Sequence, residues 1–117
     1  MQLTEVTFND QLPIDAYGPG FFRVAEQIHQ GPMLLDARGV AAWGGYEDVE
    51  TLFAAADGFD ILFIGTGAEI APLPAALRQH LDDAGIAAEV MASPSACRTY
   101  NILLSEGRRV AIAVLPV

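Results

Sequence analysis

The sequence predicts one compact α/β domain over residues 1–117, with an N-terminal antiparallel meander followed by strands joined through crossover helices. The chain has 117 residues, the usual length of a single domain, and 52% of them are hydrophobic, which is sufficient for a packed core. Short apolar runs between tight turns occupy the first half. In the second half, apolar runs alternate with helical patterns of about ten residues, as in crossover-connected sheets.

The first half is predicted to contain short strands separated by turn residues. Leu3, Val6 and Phe8 lie in an extended, Thr-rich run. The Pro- and Gly-rich stretch at 9–20 predicts a loop, and the residues at 30–32 and 36–39 predict turns. The remaining strands of the meander are predicted at 22–28, 33–35 and 40–43.

The second half is predicted to alternate helices and strands, which implies an at least partly parallel sheet. Acidic residues favour the start of the first helix, and Pro74 favours the first turn of the second. Ser93 is predicted to be the N-cap of the third helix, while Gly85 and Gly107 end the last two. The predicted helices cover 47–55, 74–85 and 93–107, and the strands cover 59–64, 86–91 and 110–115.

The charge balance limits the classes of partner. The chain has 15 acidic and 6 basic residues, and its net charge is -9. Such a chain is unsuited to nucleic acid or to an anionic membrane surface. Its N-terminal sequence lacks the basic and apolar regions of a secretory signal, and no apolar run approaches the ~20 residues of a membrane span. We therefore expect a cytoplasmic protein without membrane insertion.

A candidate ligand site lies where two predicted parallel strands end. Gly65-Thr66-Gly67 follows one strand and Ser93 follows the next, so two helix N-termini would face one crevice that could hold a small anion or a nucleotide-type ligand. The loop is not a complete dinucleotide fingerprint, because Ile70 stands at its last position. The alternative interpretation is a tight turn and a simple helix cap. The candidate ligand-binding residues are Gly65, Thr66, Gly67, Ser93, Arg98, Thr99 and Asn101.

Other reactive side chains do not form a recognisable catalytic or metal-binding pattern. Cys97 lies near a predicted helix N-terminus, where a thiol pKa falls, but its helical position places it on the apolar face, which favours burial. The chain has one cysteine and two histidines, His29 and His80, without metal-ligand spacing. The sequence therefore predicts no catalytic residue, no metal and no cofactor.

Trp43 and Tyr46 flank the Gly44-Gly45 turn. Aromatic residues at the end of a meander usually close the edge of a core. Trp and Tyr are also frequent at the centres of protein interfaces. Both interpretations stay open, so these two residues are the candidate partner-binding residues.

Several motifs in the order found here resemble one family of small proteins with bacterial, archaeal and eukaryotic members and no assigned function. The most specific are the Gly65-Thr66-Gly67 and Thr99-Tyr100-Asn101 elements, within ILFIGTG at 61–67, ACRTYNILL at 96–104 and EGRRV at 106–110. The mitochondrial member of that family is an assembly factor of NADH:ubiquinone oxidoreductase (respiratory complex I). The resemblance implies a three-layer fold with a central mixed sheet of about five strands, helices on one side and extra strands elsewhere. It implies no known reaction, cofactor or catalytic residue.

Two functions are consistent with these observations. The first is a non-enzymatic protein-interaction or assembly module, with a protein partner in respiratory-complex assembly, as the resemblance implies. The second is a binder of small anions or nucleotides, or an unrecognised enzyme, which would use the crevice at Gly65–Gly67 and Ser93–Arg98. In that hypothesis Arg98 holds the anion, and Thr66, Ser93 and Asn101 orient it.

Overall fold

Two sheets and three α-helices make up the computed structural model, which describes residues 11–117. The strands are β1 (Ala16–Gly18), β2 (Phe21–Val24), β3 (Gln27–Gln30), β4 (Met33–Asp36), β5 (Gly39–Ala42), β6 (Ile61–Gly65), β7 (Ala88–Met91) and β8 (Val110–Val114). The helices are α1 (Val49–Ala55), which continues into a 3₁₀ turn (Ala56–Gly58), α2 (Ala75–Asp83) and α3 (Ser93–Ser105). In the described part of the chain, no helix has both the length and the apolar character needed to cross a membrane.

The central sheet has five strands in the order β5-β4-β8-β6-β7. β6 pairs in parallel with β7 and β8, whereas β4 pairs antiparallel with β5 and β8. β8 is buried along its whole length, and β6 is buried from Leu62 to its end, because both strands are covered on both faces. The predicted mixed sheet of about five strands is confirmed.

The predicted meander is divided between the two sheets. β1, β2 and β3 form a separate antiparallel sheet, while the β4–β5 hairpin joins the central one. All four residues of β4 are buried, as required of a strand covered on both faces, whereas the small sheet has one exposed face. The predicted run at Leu3, Val6 and Phe8 lies outside the described residues.

Two local predictions in the first half are wrong. β1 lies within the stretch predicted as a loop at 9–20. The single strand predicted at 22–28 is two strands, because Ala25 and Glu26 turn the chain with φ of 51° and 67°. A two-residue hairpin of this kind needs positive φ at both central positions and usually contains Asn or Gly. Ala-Glu lacks that signal, so the sequence pattern did not indicate the turn.

The helices lie on both faces of the central sheet, so the one-sided arrangement implied by the resemblance is wrong. Leu52 of α1 and Leu77 of α2 share a hydrophobic cluster with Leu62 of β6. Tyr100 of α3 and the small sheet share a second cluster with Phe63, the next residue of β6. The connection from β6 to β7 and the connection from β7 to β8 run in opposite directions across the sheet. Because parallel crossovers are right-handed, their helices pack on opposite faces.

Candidate functional site

The carboxyl ends of β6 and β7 lie side by side, as the parallel register requires. Gly65 is paired with Met91 in the sheet. The two connections leave this edge toward opposite faces, which makes it the position where open α/β sheets bind ligands. The Gly65–Gly67 loop and Ser93 are therefore neighbours.

Ser93 joins the three strand ends by hydrogen bonds. Its Oγ accepts a hydrogen bond from the Gly67 N–H at 2.9 Å and donates one to the Leu115 carbonyl at 2.6 Å. Its backbone N–H donates to the Gly67 carbonyl at 2.8 Å. The side chain is fully buried. The predicted N-cap is wrong by one residue, because Ala92 is the N-cap and Ser93 is the first residue of α3.

Gly65 allows the start of α3 to approach β6 closely. A Cβ atom on Gly65 would lie 2.6 Å from Ser93 Oγ, 2.8 Å from Val114 Cγ1 and 2.9 Å from Ser93 Cα. These distances are shorter than any van der Waals contact of carbon, so the glycine is required by packing against the protein's own chain. The space beside Gly65 is occupied by Ser93 and Val114.

Thr66 stabilises the loop that follows β6. Its N–H donates to the Met91 carbonyl at 2.9 Å. Its Oγ1 lies 2.7 Å from the Glu69 carbonyl and 3.2 Å from the Met91 carbonyl, and it accepts from the Ala71 N–H. These contacts within the chain use the O–H donor and one of the two acceptor lone pairs of the hydroxyl group.

The remaining candidate ligand residues are distributed along α3. Arg98 is exposed, Thr99 is half-buried, and Arg98 forms no ion pair within residues 11–117. Asn101 follows Ser93 by eight residues, which is about 12 Å along a helix. The structure therefore brings together Gly65, Thr66, Gly67 and Ser93 but places Asn101 apart from them. Ligand binding at these residues stays a prediction.

Asn101 instead binds the backbone of the segment that precedes the small sheet. Its Oδ1 accepts from the Ile14 N–H, and its Nδ2 donates to the Ile14 carbonyl, both at 2.9 Å. Tyr100 acts in the same place, since its hydroxyl donates to the Leu12 carbonyl at 2.8 Å and accepts from Gln11 Nε2 at 3.1 Å. Burial raises the pKa of the Tyr100 hydroxyl. The sequence pattern predicts Asn101 as a ligand-binding residue, and it does not predict the contact of Asn101 with Ile14.

Cys97 is buried on the inner face of α3, as its helical position predicts. Burial raises the pKa of its thiol to about 12, so the thiolate needed for nucleophilic chemistry is scarce near neutral pH. Among the described residues, no group of three or more His, Cys, Asp or Glu side chains could hold a metal ion.

Asp36 is a buried carboxylate that the sequence pattern did not single out. It closes the β4–β5 hairpin by accepting from the Arg38 N–H at 2.9 Å, and Arg38 Nη2 lies 3.3 Å from its second oxygen. Arg38 Nη2 also donates to the Ala54 carbonyl of α1 at 3.2 Å. An Asp side chain that accepts a hydrogen bond from the backbone N–H two residues later is common in turns, so the sequence carried a signal for the role of Asp36 in this turn.

Trp43 and Tyr46 have different environments. Trp43 is buried, and its Nε1 donates to the Asp48 carbonyl at 3.1 Å, so the core interpretation is confirmed for this residue. Tyr46 packs edge-to-face on Trp43 with ring centroids 6.2 Å apart. It is half-buried and lines a groove of about 480 Å³ together with Glu47, Val49, Pro74, Ala76, Leu77 and His80. Partner binding by either aromatic residue stays a prediction.

Comparison with known proteins assigns the chain to a family. The model of the family described as "Protein of unknown function (DUF498/DUF598)" matches residues 14–115. The chain belongs to this family. The match includes both sheets and all three α-helices described above, so family membership concerns the whole described fold.

The chain is similar both to an uncharacterised protein and to an assembly factor. An uncharacterised protein of Rhodobacter capsulatus is 49% identical over 97% of this chain and 91% of its own length. NADH dehydrogenase [ubiquinone] 1 alpha subcomplex assembly factor 3 of Danio rerio is 34% identical over 88% of this chain. This chain spans 63% of that assembly factor.

A solved structure has the same fold. The crystal structure of a Bartonella henselae protein, described as an outer membrane protein, superposes with a TM-score of 0.82 and 36% identity. The superposition covers 95% of this chain and 99% of that one. The two proteins therefore share the complete domain architecture.

Proposed function

We propose that this DUF498/DUF598 member is a non-enzymatic assembly module that binds a protein partner during construction of NADH:ubiquinone oxidoreductase. The interaction takes place in the cytoplasm, where the sequence led us to expect the chain. The similarity to the assembly factor of Danio rerio supports the partner class, because it covers 88% of this chain. The assembly factor is longer, so the proposal concerns the shared domain.

The observation that carries the non-enzymatic part is the closed carboxyl edge of the central sheet. Ligands of open α/β sheets bind there through free N–H groups of loops and helix N-termini. In this chain the Gly67 and Ser93 N–H groups both donate to the protein itself, and Pro94 has no N–H to offer. Among residues 11–117, the first turn of α3 thus has only the Ser95 N–H left for a ligand. The geometry favours a structural role for this edge.

The surface charge supports a protein partner of complementary charge. A net charge of -9 repels other acidic surfaces and attracts basic ones, and such attraction mainly raises association rates and selects partners. An assembly module must recognise a subunit and then release it, which suits contacts dominated by exposed charges.

Deletion and complementation in the source organism test the proposal. We expect cells without this chain to contain less assembled NADH:ubiquinone oxidoreductase on native gels, and a plasmid copy to restore it. A tagged copy that restores assembly should co-purify with a subunit or assembly protein of that enzyme, as identified by mass spectrometry. Unchanged amounts of the assembled enzyme in the deletion strain would contradict the proposal.

A further inference from the structure

A groove with a largely apolar lining lies between the start of α1 and α2, on the face of the central sheet that these helices cover. Val49, Leu77, Tyr46 and Pro74 contribute to its apolar lining. Its volume of about 480 Å³ is enough for several side chains of a binding segment. At the far end, Phe53 of α1 and His80 of α2 meet edge-to-face with ring centroids 6.5 Å apart.

Phe53 leaves an aromatic surface exposed beside this groove. Its side chain is 39% exposed although it belongs to a helix whose other large apolar residue, Leu52, is fully buried. Aromatic side chains that pack at the rim of an apolar groove are frequent anchors for helical segments.

Three carboxylates lie at or beside the groove, and we call Glu47, Glu50 and Asp83 its acidic rim. Glu47 lines the groove directly. Glu50 lies one helical turn before Phe53, and Asp83 lies one turn after His80, so both share a helix side with the Phe53–His80 pair. Glu47, Glu50 and Asp83 are all exposed. Arg78, the arginine of α2, does not line the groove.

We propose that the α1–α2 groove binds a short amphipathic segment of a partner protein, with apolar side chains in the groove and Lys or Arg residues against the acidic rim. This inference rests on the proposed function for the identity of the partner, but the chemistry of the segment follows from the groove. The apolar lining accepts apolar side chains, as in helix-in-groove recognition, and the rim selects positive charge. A second copy of this chain is the wrong occupant, because it carries a net charge of -9 and has no lysine.

A designed peptide tests the chemistry with the full chain. The probe is a fluorescein-labelled peptide of about fifteen residues, with leucine at helical positions i, i+3, i+4 and i+7 and lysine on the other face. One control peptide replaces every lysine with glutamate, and another has the same composition with the leucines dispersed around the helix. We expect fluorescence anisotropy to detect binding of the first peptide only. Amide shifts in ¹H–¹⁵N spectra should centre on Tyr46, Val49, Leu77 and His80.

Matched variants separate the groove from the general acidity of the surface. Glu47→Lys/Glu50→Lys should weaken peptide binding at least about fivefold, which is the effect expected for the loss of two exposed charge pairs. The control Glu69→Lys/Glu106→Lys makes the same change of net charge away from the groove. It should weaken binding less than about twofold. Phe53→Ser should weaken binding about tenfold. Ile102→Ser removes a comparably exposed apolar side chain from α3 and should have no effect. Circular dichroism should confirm that all four variants are folded.

Three results of the binding experiments would each overturn the inference. These are equal binding of the acidic or dispersed peptide, equal weakening by the two charge-reversal pairs, and amide shifts away from the groove. A concentration-dependent dimer in light scattering that Phe53→Ser abolishes would also overturn it, by showing a second copy in the groove.

Complementation separates failure of this inference from failure of the proposed function. If cells without the chain lose assembled enzyme and Glu47→Lys/Glu50→Lys restores it fully, the groove inference fails and the proposed function stands. If the deletion has no effect on the enzyme, the proposed function fails, and the peptide titrations alone decide whether the groove binds basic amphipathic segments.

Discussion

Gly65 and Ser93 are packed so closely that a single methyl group would not fit between them. A Cβ on Gly65 would lie 2.6 Å from Ser93 Oγ, and the same oxygen accepts from Gly67 and donates to Leu115. This contact connects β6, the start of α3 and the end of β8. It therefore determines both how the second crossover packs and why the carboxyl edge of the sheet is closed.

Gly65→Ala should destabilise the fold. The added methyl group must displace Ser93 or Val114, and overpacking of this kind costs about 1–3 kcal/mol. Urea unfolding measures the loss. Gly58→Ala is the matched control, because a Cβ there would meet nothing within 4 Å and no positive φ is involved. We expect the control to be neutral or slightly stabilising. Equal effects of the two substitutions would contradict the packing argument.

Ser93→Ala should leave one buried and one half-buried polar group without partners. The Gly67 N–H loses its acceptor and the Leu115 carbonyl loses its donor, so the free energy of unfolding should fall by about 1–3 kcal/mol. Ser95→Ala, at an exposed position in the same turn, should change it by less than about 0.5 kcal/mol. Wild-type stability of Ser93→Ala would show that the hydrogen bonds at this edge are dispensable.

Asn101→Leu should release the segment before the small sheet without unfolding the central sheet. The substitution removes both hydrogen bonds to the Ile14 backbone but keeps an apolar side chain of similar size. We expect faster hydrogen exchange of the Ile14 amide, with little change for the amides of β6 and β8. Ser105→Ala on the exposed end of α3 is the control. Uniformly faster exchange across the domain would instead indicate global destabilisation.

Asp48 should make stability depend on pH in the acid range. Hydrogen bonds from the Thr51 hydroxyl, the Gly44 N–H and the Thr51 N–H lower the pKa of its carboxyl group below the usual 3.8. Since the folded-state pKa is below the unfolded one, the stabilising contribution is complete above the unfolded pKa and is lost as pH falls through the folded pKa.

Two substitutions at Asp48 isolate this contribution. Asp48→Ser keeps an N-cap oxygen for the Thr51 N–H but removes the charge, whereas Asp48→Ala removes both. In chemical unfolding, the advantage of wild type over Asp48→Ser should shrink on acidification. Asp48→Ala should be less stable than Asp48→Ser throughout. A wild-type advantage over Asp48→Ser that does not change with pH would contradict the role of the charge.

Small anions should not raise the melting temperature. The Gly67 and Ser93 N–H groups donate within the chain, so among the described residues the first turn of α3 offers one N–H near the exposed Arg98, which is a weak site on an acidic chain. Thermal shift with phosphate, nucleotides and small carboxylates measures this. The control substitution is Arg78→Ala, which removes an exposed arginine from α2. If an anion raises the melting temperature of the wild type and of Arg78→Ala but not of Arg98→Ala, the ligand-binding hypothesis is supported instead.

The second half of the fold could be predicted because its signals are local. Apolar runs predict the buried strands β6 and β8, Pro94 lies in the first turn of α3, and Gly85 and Gly107 adopt positive φ just after α2 and α3. The first half was predicted less well. The Ala25-Glu26 turn depends on its flanking strands rather than on its own residues, so strands β2 and β3 were predicted as one.

The candidate site shows the same division. The sequence correctly placed Gly65, Thr66, Gly67 and Ser93 together, because the ends of adjacent parallel strands must meet at one edge. It did not reveal that Ser93 fills that edge, since hydrogen bonds to Gly67 and Leu115 connect residues 26 and 22 positions apart in the chain. For the same reason the sequence did not predict the hydrogen bonds between Asn101 and Ile14, because these two residues are 87 positions apart.

By itself, the sequence determined the fold class, the net negative charge and the burial of Cys97, because these follow from composition and from the spacing of apolar residues along one segment. Tertiary structure decided the division of the meander between two sheets, the opposite faces of α2 and α3, the closure of the strand ends and the groove between α1 and α2. Each of these depends on which distant segments come into contact. Such contacts depend on the packing of the whole core, which no local pattern encodes.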